Sequence, residues 1–320
     1  MHAAPLNYLQ ASGERAHTIL PLTWYTLAVS IVVCVVIALL LLGAVRRSRL
    51  RGGPLETRSL PVERGGNGLR WIGIGLAISA VPLLISLVWT MVALAKIAGP
   101  PSEAPLTIDI TAHQWWWEGK YASTTPSEAF TVANEFHIPV GTRVRVRLQA
   151  RDVIHSFWVP QLSGKTDLIP GQTNMSWLEA SAPGRYLGQC GEFCGYQHAH
   201  MQFEVVADPP EEFERWRRGQ LGVAPDPADE AEQRGRTLVE YRCGLCHRVR
   251  GTTAGAVVAP DLTHVASRRM LAAGALANNR GNLAGWIENP QAVKPRTLMP
   301  NQGLSAAELN DVVAYLETLQ

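Results

Sequence analysis

The chain has 320 residues and a formal net charge of +2, and this length predicts two or three domains. The charge is unevenly distributed. Residues 101–213 carry thirteen acidic and seven basic side chains, a net charge of −6, whereas residues 228–320 carry nine acidic and ten basic ones, a net charge of +1. An acidic middle segment favours basic partners and argues against a nucleic-acid ligand.

Two uncharged, apolar stretches near the N-terminus predict membrane-spanning helices at about residues 22–45 and 71–96. The connecting residues 46–70 contain seven arginines and two glutamates, and the positive-inside rule places such a loop in the cytoplasm. We therefore expect residues 1–100 to form a two-helix transmembrane hairpin, with both ends of the chain outside the cytoplasm.

Residues 101–213 contain short stretches with the alternation typical of β-strands, separated by proline and glycine. About a hundred residues of this kind predict an all-β Greek-key sandwich. Residues 214–227 contain the end of a predicted closing helix and a linker rich in glycine and proline. Residues 228–320 are predicted to be mostly helical, and a capping box, Ser305 to Glu308, starts the last helix.

Soft and borderline metal ligands cluster in the sandwich segment. They are Cys190, Cys194, His198 and Met201, all within twelve residues, and His155 from a separate stretch. Sulfur with imidazole selects copper, zinc or iron, and a Cys-His-Met loop with a distant histidine is typical of a cupredoxin copper site. The second cysteine allows two copper ions with both thiolates bridging. A zinc site or buried thiols are the alternatives, and His200 is the competing imidazole.

A second motif lies in the helical segment. It reads Cys243-Gly244-Leu245-Cys246-His247. This C-x-x-C-H pattern is that of covalent haem c attachment, in which both thiols bond the haem and His247 binds its iron. Met299, in the loop before the last predicted helix, is the candidate second axial ligand, and Met270 is the alternative. We therefore expect an all-α class I cytochrome c domain over residues 228–320.

Three consecutive tryptophans, Trp115, Trp116 and Trp117, lie near the start of the sandwich segment. Because alternate residues of a strand face opposite sides of a sheet, at least one of them is expected in the core. The alternative for another is an exposed indole through which electrons enter.

These segments together resemble subunit II of haem–copper cytochrome c oxidases, and the trailing haem motif resembles the fused subunit II of caa3-type oxidases. The resemblance covers essentially the whole chain. It implies a cupredoxin-like domain with a binuclear CuA centre, in which one histidine binds each copper. The implied residues are the bridging Cys190 and Cys194, the imidazoles of His155 and His198, and as weak ligands Met201 and the backbone carbonyl of Glu192.

The resemblance also implies roles outside the copper ligands. The Glu192 side chain would help to hold a magnesium ion shared with subunit I, and Trp115 would be the indole for electron input. Glu63 loosely matches an acid at the mouth of a proton channel. Gln172 stands where the family commonly has an arginine, so a charge contact made by that arginine is in doubt here.

The implied function is electron input to a proton-pumping terminal oxidase. Electrons would pass one at a time from a cytochrome c or another periplasmic donor through haem c and CuA to haem a of subunit I, where O2 is reduced to water. The implied partners are subunits I and III, the donor and the lipid bilayer, in a bacterial inner membrane with both metal domains outside. The alternatives are a quinol oxidase subunit II, which typically lacks copper ligands, and a copper assembly factor, which needs no haem.

Overall fold

The computed structural model describes residues 6–50, 68–99 and 104–320. Its first elements are α1 (Glu14–Leu50) and α2 (Gly68–Ile97). Both helices are long and apolar enough to cross a membrane, and their most apolar stretches are not buried within the protein. Most of the predicted cytoplasmic loop, including Glu63, lies outside the described residues.

Helix α1 begins before the predicted start at about residue 22. Its first residues are anchored on the sandwich, since the Ala16 amide donates to the Leu162 carbonyl (3.3 Å). Within the hairpin, the Tyr25 hydroxyl donates to the Pro82 carbonyl (3.1 Å), and the rings of Tyr25 and Trp89 lie 5.6 Å apart. These contacts join α1 to α2.

The middle of the chain folds into two five-stranded sheets that share one core. The strands are β1 (Thr107–His113), β2 (Trp116–Tyr121), β3 (Phe130–Ala133), β4 (Glu135–Pro139), β5 (Val144–Ala150), β6 (His155–Trp158), β7 (Thr166–Leu168), β8 (Asn174–Leu178), β9 (Gly184–Cys190) and β10 (Gln202–Asp208). The sheets have the orders β3-β2-β1-β5-β8 and β4-β10-β9-β6-β7. Strands β1 and β5, and β4 and β10, pair in parallel. The structure is the cupredoxin-like β-sandwich predicted from the sequence.

Aromatic side chains fill the space between the two sheets. The rings of Phe157 and Phe203 lie 4.5 Å apart, and Trp117 lies 5.0 Å from Phe203. A Cβ on Gly188 of β9 would come within 2.2 Å of the Phe203 ring. The Phe203 ring occupies the space that a side chain at position 188 would need. Glycine at this position therefore lets β9 and β10 pair closely. These two strands flank the loop that carries Cys194, His198 and Met201.

Helix α3 (Pro210–Gly219) packs on the sandwich. Phe213 lies in the sandwich core, and the Trp216 ring stacks on His137 with centroids 4.1 Å apart. Leu221 also packs on this core, whereas Ala224 belongs to the next one. The chain therefore crosses between the two cores at residues 222–223, a shorter connection than the sequence suggested.

The C-terminal helical domain begins at α4 and has its own core. Its elements are α4 (Glu230–Leu238), a π-helical turn (Val239–Cys243), β11 (Met270–Leu271), β12 (Leu276–Ala277), α5 (Arg280–Glu288), α6 (Pro290–Val293) and α7 (Ala306–Thr318). Helix α4 packs against α7, where a Cβ on Gly235 would lie 2.0 Å from the Asp311 carbonyl oxygen. The predicted capping box is present, with Ser305 and Glu308 each bonding the other's backbone amide.

Candidate metal centre and haem site

The loop between β9 and β10 (residues 191–201, the β9–β10 loop) is positioned by the sheet and by one glycine. Cys190 ends β9 and pairs with Phe157 of β6, so His155 at the start of β6 lies beside the thiol. Gly195 has a φ of +112°, and a Cβ there would lie 3.2 Å from the Gln114 amide nitrogen. Only glycine readily adopts this conformation in so narrow a space.

The structure brings all six predicted copper-site residues together. The sulfur atoms of Cys190 and Cys194 lie 3.7 Å apart. Each thiol has its own imidazole, His155 Nδ1 at 3.8 Å from Cys190 Sγ and His198 Nδ1 at 3.6 Å from Cys194 Sγ. The Met201 sulfur lies 3.8 Å from Cys194 Sγ, and the Glu192 carbonyl oxygen lies 3.2 Å from Cys190 Sγ. His200 instead pairs with the Gln197 side chain (2.9 Å).

These separations fit ligands of first-row metal ions. Donors bound to one ion at about 2.0–2.3 Å lie about 3.3–3.8 Å from one another, whereas a disulfide needs about 2.05 Å between its sulfur atoms. The donor atoms of His155, Cys190 and Cys194 all lie within 4.8 Å of each other. These three side chains are at most 3% exposed. The residues present therefore fit a buried metal centre with a soft donor set.

The two thiols differ in acidity. A hydrogen bond from the Cys194 thiol holds the pKa of Cys190 well below its usual range, with further hydrogen bonds from His155 and the backbone, against the effect of burial. The same contact and burial raise the pKa of Cys194. Because the thiolate is the form that binds metals, the low pKa of Cys190 favours metal coordination by its sulfur.

Asp152 orients one of the imidazoles. Its carboxylate lies 2.8 Å from His155 Nε2, which leaves Nδ1 directed at the Cys190 sulfur. The same side chain accepts a hydrogen bond from the Gln114 amide (2.6 Å). A carboxylate behind a ligating histidine fixes both the ring orientation and the tautomer.

The three tryptophans have three different environments. Trp117 is fully buried in the sandwich core, as expected for at least one of them, and Trp116 stacks on His113 with centroids 4.3 Å apart. Trp115 is only 8% exposed, so it is not the exposed indole that the sequence left open as an alternative. Its Nε1 donates to the Cys194 carbonyl (3.0 Å), which the Gln114 side chain also bonds (2.8 Å). The peptide bond between Gln114 and Trp115 is cis.

In the C-terminal domain, the C-x-x-C-H residues follow the π-helical turn. His247 Nδ1 lies 2.7 Å from the Pro260 carbonyl oxygen, so Nδ1 carries the proton and Nε2 is available for iron. Burial lowers the pKa of His247 and keeps the ring neutral. Met299 and Cys243 pack on the core of this domain. The chemistry of this donor set fits a covalently attached haem c.

Met270 lies elsewhere. It lines a cavity of about 220 Å³ between the C-terminal domain and the sandwich, together with Glu135, Gln202 and Arg269. Its side chain is therefore beside sandwich residues, whereas Met299 packs on the same core as Cys243. This placement favours Met299 over Met270 as an axial ligand.

Comparison with known proteins places the chain in a family. A family model of the periplasmic domain of cytochrome c oxidase subunit II matches residues 123–207, and a cytochrome c model matches residues 232–320. A cytochrome c oxidase subunit 2 of Alkalihalophilus pseudofirmus is 32% identical over 98% of this chain and 91% of its own length. The chain belongs to the cytochrome c oxidase subunit 2 family.

Two other known proteins are also similar to this chain. The subunit 2 of Bacillus subtilis is 28% identical over 85% of this chain and 80% of its own length. The crystal structure of the periplasmic domain of subunit II from Bradyrhizobium japonicum has 32% identity, a TM-score of 0.36, and covers 38% of this chain and 96% of that chain.

Family membership and the fused cytochrome c domain establish the general function. The chain is the subunit through which electrons enter a haem–copper oxidase, and it is a partner of subunit I. Copper and haem c are the cofactors that its two domains imply. The two apolar helices indicate a membrane protein whose sandwich lies outside the cytoplasm.

Three residues beside the site were missed by sequence reasoning. Asp152 was detectable in principle, because a carboxylate near a ligating histidine is a common arrangement. The sequence around Gln114 and Lys294 does not indicate a place beside the site, because the contacts of both residues join segments distant in sequence. Lys294 is 2% exposed, and burial lowers its pKa to about 7. Its three carbonyl partners match the three N–H donors of the ammonium form.

Proposed function

We propose that the chain receives electrons on a haem c and delivers them one at a time, through a binuclear copper centre, to haem a of subunit I, where O2 is reduced to water. The proposed donor is a cytochrome c or another periplasmic protein. The haem would be held by Cys243, Cys246, His247 and Met299. The copper ions would be held by His155, Cys190, Glu192, Cys194, His198 and Met201.

One observation carries this proposal: two free thiols lie 3.7 Å apart, and each has its own imidazole. A single tetrahedral ion needs four donors, whereas this set offers six on the two sides of a sulfur pair. Two ions bridged by the thiolates would share one electron, so that each metal–ligand bond changes little on reduction. The rigid sandwich and the buried loop keep the donor atoms in the same positions in both oxidation states.

We also propose that the Glu192 side chain helps to hold a magnesium ion shared with subunit I. Its carbonyl faces the Cys190 sulfur, while its carboxylate is 45% exposed and therefore accessible to another subunit. The Lys165 ammonium lies 3.4 Å from this carboxylate and would have to move on metal binding. Carboxylate oxygens are the ligands that magnesium prefers.

The remaining parts of the proposal concern location and organisation. A bacterial inner membrane and contact with lipid agree with the two apolar helices and with the bacterial relatives, and association with subunit III is part of the same proposal. The proposed division is a hairpin (1–100), a CuA domain (101–213), a connection (214–227) and a cytochrome c domain (228–320). The strands between Thr107 and Asp208 support the second limit, and α3 extends that domain to Gly219.

The two alternative functions fit the site less well. A quinol oxidase subunit II would not need the clustered thiol, imidazole and thioether donors. A copper assembly factor would not need the C-x-x-C-H residues, nor a His247 whose Nε2 is available for iron. Neither alternative has a specific observation in its favour.

The proposal is tested on the purified full-length protein. We expect a c-type haem spectrum, a mixed-valence copper signal in electron paramagnetic resonance, and two copper ions per chain. Cys194→Ser should remove the copper signal and leave the haem attached, because a hydroxyl is a poor bridge between two copper ions. Cys34→Ser, in α1, is the matched control and should change neither cofactor. Two copper ions per chain in Cys194→Ser would show that the ligand assignment is wrong.

A further inference from the structure

A lysine of the C-terminal domain is buried in the surface of the sandwich. Lys294 directly follows α6, and its ammonium donates to three carbonyl oxygens. These belong to Trp115 (2.6 Å), His200 (2.8 Å) and Ala272 (3.1 Å). The first two acceptors are in the sandwich segment, and the third is in the same domain as the lysine.

The neighbours of Lys294 also contact the β9–β10 loop. The Gln197 side chain donates to the Pro295 carbonyl (2.9 Å), and the Arg296 guanidinium lies 4.6 Å from the centre of the Tyr196 ring. Residues 294–296 thus contact positions 196, 197 and 200 of the loop that also carries Cys194, His198 and Met201. A few residues later the same segment contains Met299, the proposed iron ligand.

Two further contacts join the same two domains. A Cβ on Gly274 would lie 2.7 Å from the Gln202 side chain, so the two backbones approach closely there. The Arg269 guanidinium lies 3.1 Å from the Glu204 carboxylate, which is only 5% exposed. The two domains therefore meet at several points besides Lys294.

The burial of Lys294 depends on the two domains being docked. An ammonium is costly to bury unless its donors are all satisfied. Two of its three acceptors come from the sandwich, so separation of the domains would remove those acceptors and return the side chain to water. A lysine that served only the fold of the C-terminal domain would find its acceptors within that domain.

We propose that Lys294 is a positioning residue that locks the haem-binding domain onto the β9–β10 loop through the carbonyls of Trp115 and His200. Electron transfer between the two centres then takes place in one fixed arrangement, without a search by a tethered domain. The docking of the two domains through Lys294 is inferred from the contacts above, and its effect on electron transfer rests on the proposed function.

The first test does not depend on metals. We compare hydrogen–deuterium exchange of the full-length protein with that of Lys294→Met, which keeps a long apolar side chain but removes the donors. Exchange should become faster in peptides covering 111–118, 194–203 and 290–300, and remain unchanged in α7. Lys120→Met removes an exposed charge from β2 and is the control, with no expected change. Unchanged exchange at the three segments in Lys294→Met would overturn the proposal, and so would faster exchange throughout the C-terminal domain.

The second test measures haem-to-copper electron transfer after a light flash in the assembled oxidase. In the parent protein the rate should not depend on solvent viscosity. Lys294→Met should slow the transfer about tenfold or more, because charge-assisted hydrogen bonds of the docked state are lost, and the rate should fall further with viscosity. Haem and copper content and spectra should not change.

A milder variant keeps the test decisive if Lys294→Met misfolds. Arg296→Ala removes the guanidinium from the Tyr196 ring at an exposed site, and should produce a smaller slowing with the same viscosity dependence. Parent rates at all viscosities in both variants would overturn the proposal. Absence of haem-to-copper transfer in the parent protein would instead contradict the proposed function, and the exchange experiment would still decide whether Lys294 locks the domains.

Discussion

The carbonyl of Cys194 is the acceptor that connects a predicted copper ligand to its surroundings. Trp115 Nε1 and the Gln114 side chain both donate to it, at 3.0 and 2.8 Å. The carbonyl of Trp115 in turn accepts from Lys294 (2.6 Å). Trp115 is therefore hydrogen-bonded to the β9–β10 loop through its indole and to the C-terminal domain through its backbone carbonyl, as a residue between two redox centres would be.

Trp115→Phe should slow electron transfer from the haem to the copper centre and leave both metal contents unchanged. An aromatic ring remains, but the N–H that bonds the Cys194 carbonyl is lost. The through-bond contact between the ring and the loop is lost with that hydrogen bond. Trp116→Phe is the matched control, because Trp116 stacks on His113 and has no such bond with the loop. Flash-induced oxidation of the haem measures both rates. Equal rates in the two variants would make Trp115 a packing residue.

Met299→Ala should leave the haem covalently attached and open the sixth position of its iron. Carbon monoxide should then bind the reduced haem, because His–Met ligation no longer saturates the iron. Met270→Ala should not have this effect, since Met270 lines the cavity beside the sandwich. Absorption spectra under carbon monoxide compare the two variants, and the opposite pattern would assign the axial position to Met270.

At the scale of secondary-structure elements, the packing of α4 on α7 positions the haem motif. Helix α4 leads through the π-helical turn into Cys243, so its packing on α7 fixes where the motif begins. Gly235 allows the close approach, because its missing side chain leaves room for the Asp311 carbonyl. Val239, Val312 and Leu316 then pack in the core of the C-terminal domain.

Gly235→Ala should destabilise the C-terminal domain by about 1–3 kcal/mol, because the new methyl group overlaps backbone that cannot easily move. Gly285→Ala in α5 is the control. Nothing lies within 4 Å of a Cβ there, so alanine should stabilise the helix by about 0.5–1 kcal/mol. Urea unfolding followed by haem absorption measures both changes. Equal midpoints for Gly235→Ala and the parent would mean that α4 can shift away from α7 at little cost.

The elements were largely predictable from the sequence because their signals are local. Apolar length, strand alternation, the Ser305–Glu308 capping box and the C-x-x-C-H motif each depend on neighbouring residues. The grouping of the copper-site residues was also predictable, since five of the six fall within twelve positions. The early start of α1 was missed, because it depends on the contact between Ala16 and Leu162.

The surroundings of Trp115 could not be predicted for a related reason. Its backbone contact with Lys294 depends on how the two domains meet, and that surface has no periodic pattern. Lys294 is the only lysine in residues 228–320, among nine arginines, and nothing in its neighbours separates it from an ordinary exposed residue. Tertiary contacts between distant segments decide its environment.

At the scale of the whole molecule, we expect contacts and not linker length to set the distance between the two centres. Insertion of about twelve glycine and serine residues between Gly222 and Val223 should leave the rate of haem-to-copper transfer nearly unchanged. A freely tethered domain would instead lose effective concentration with linker length, as roughly the −3/2 power. Flash kinetics on the parent and the insertion variant compare the two models. A rate that falls with each added segment would favour the tether.

The same docked surface has a consequence for the order of biosynthesis. Cys190, Cys194 and Met201 are at most 3% exposed, and residues 294–296 lie against the loop that covers them. A copper donor protein needs direct access to the thiols, and contacts on the loop restrict that access. We therefore expect copper to enter the sandwich before the cytochrome domain docks, and we expect the docked domain to protect the centre against loss of copper to chelators and against oxidation of its sulfur atoms.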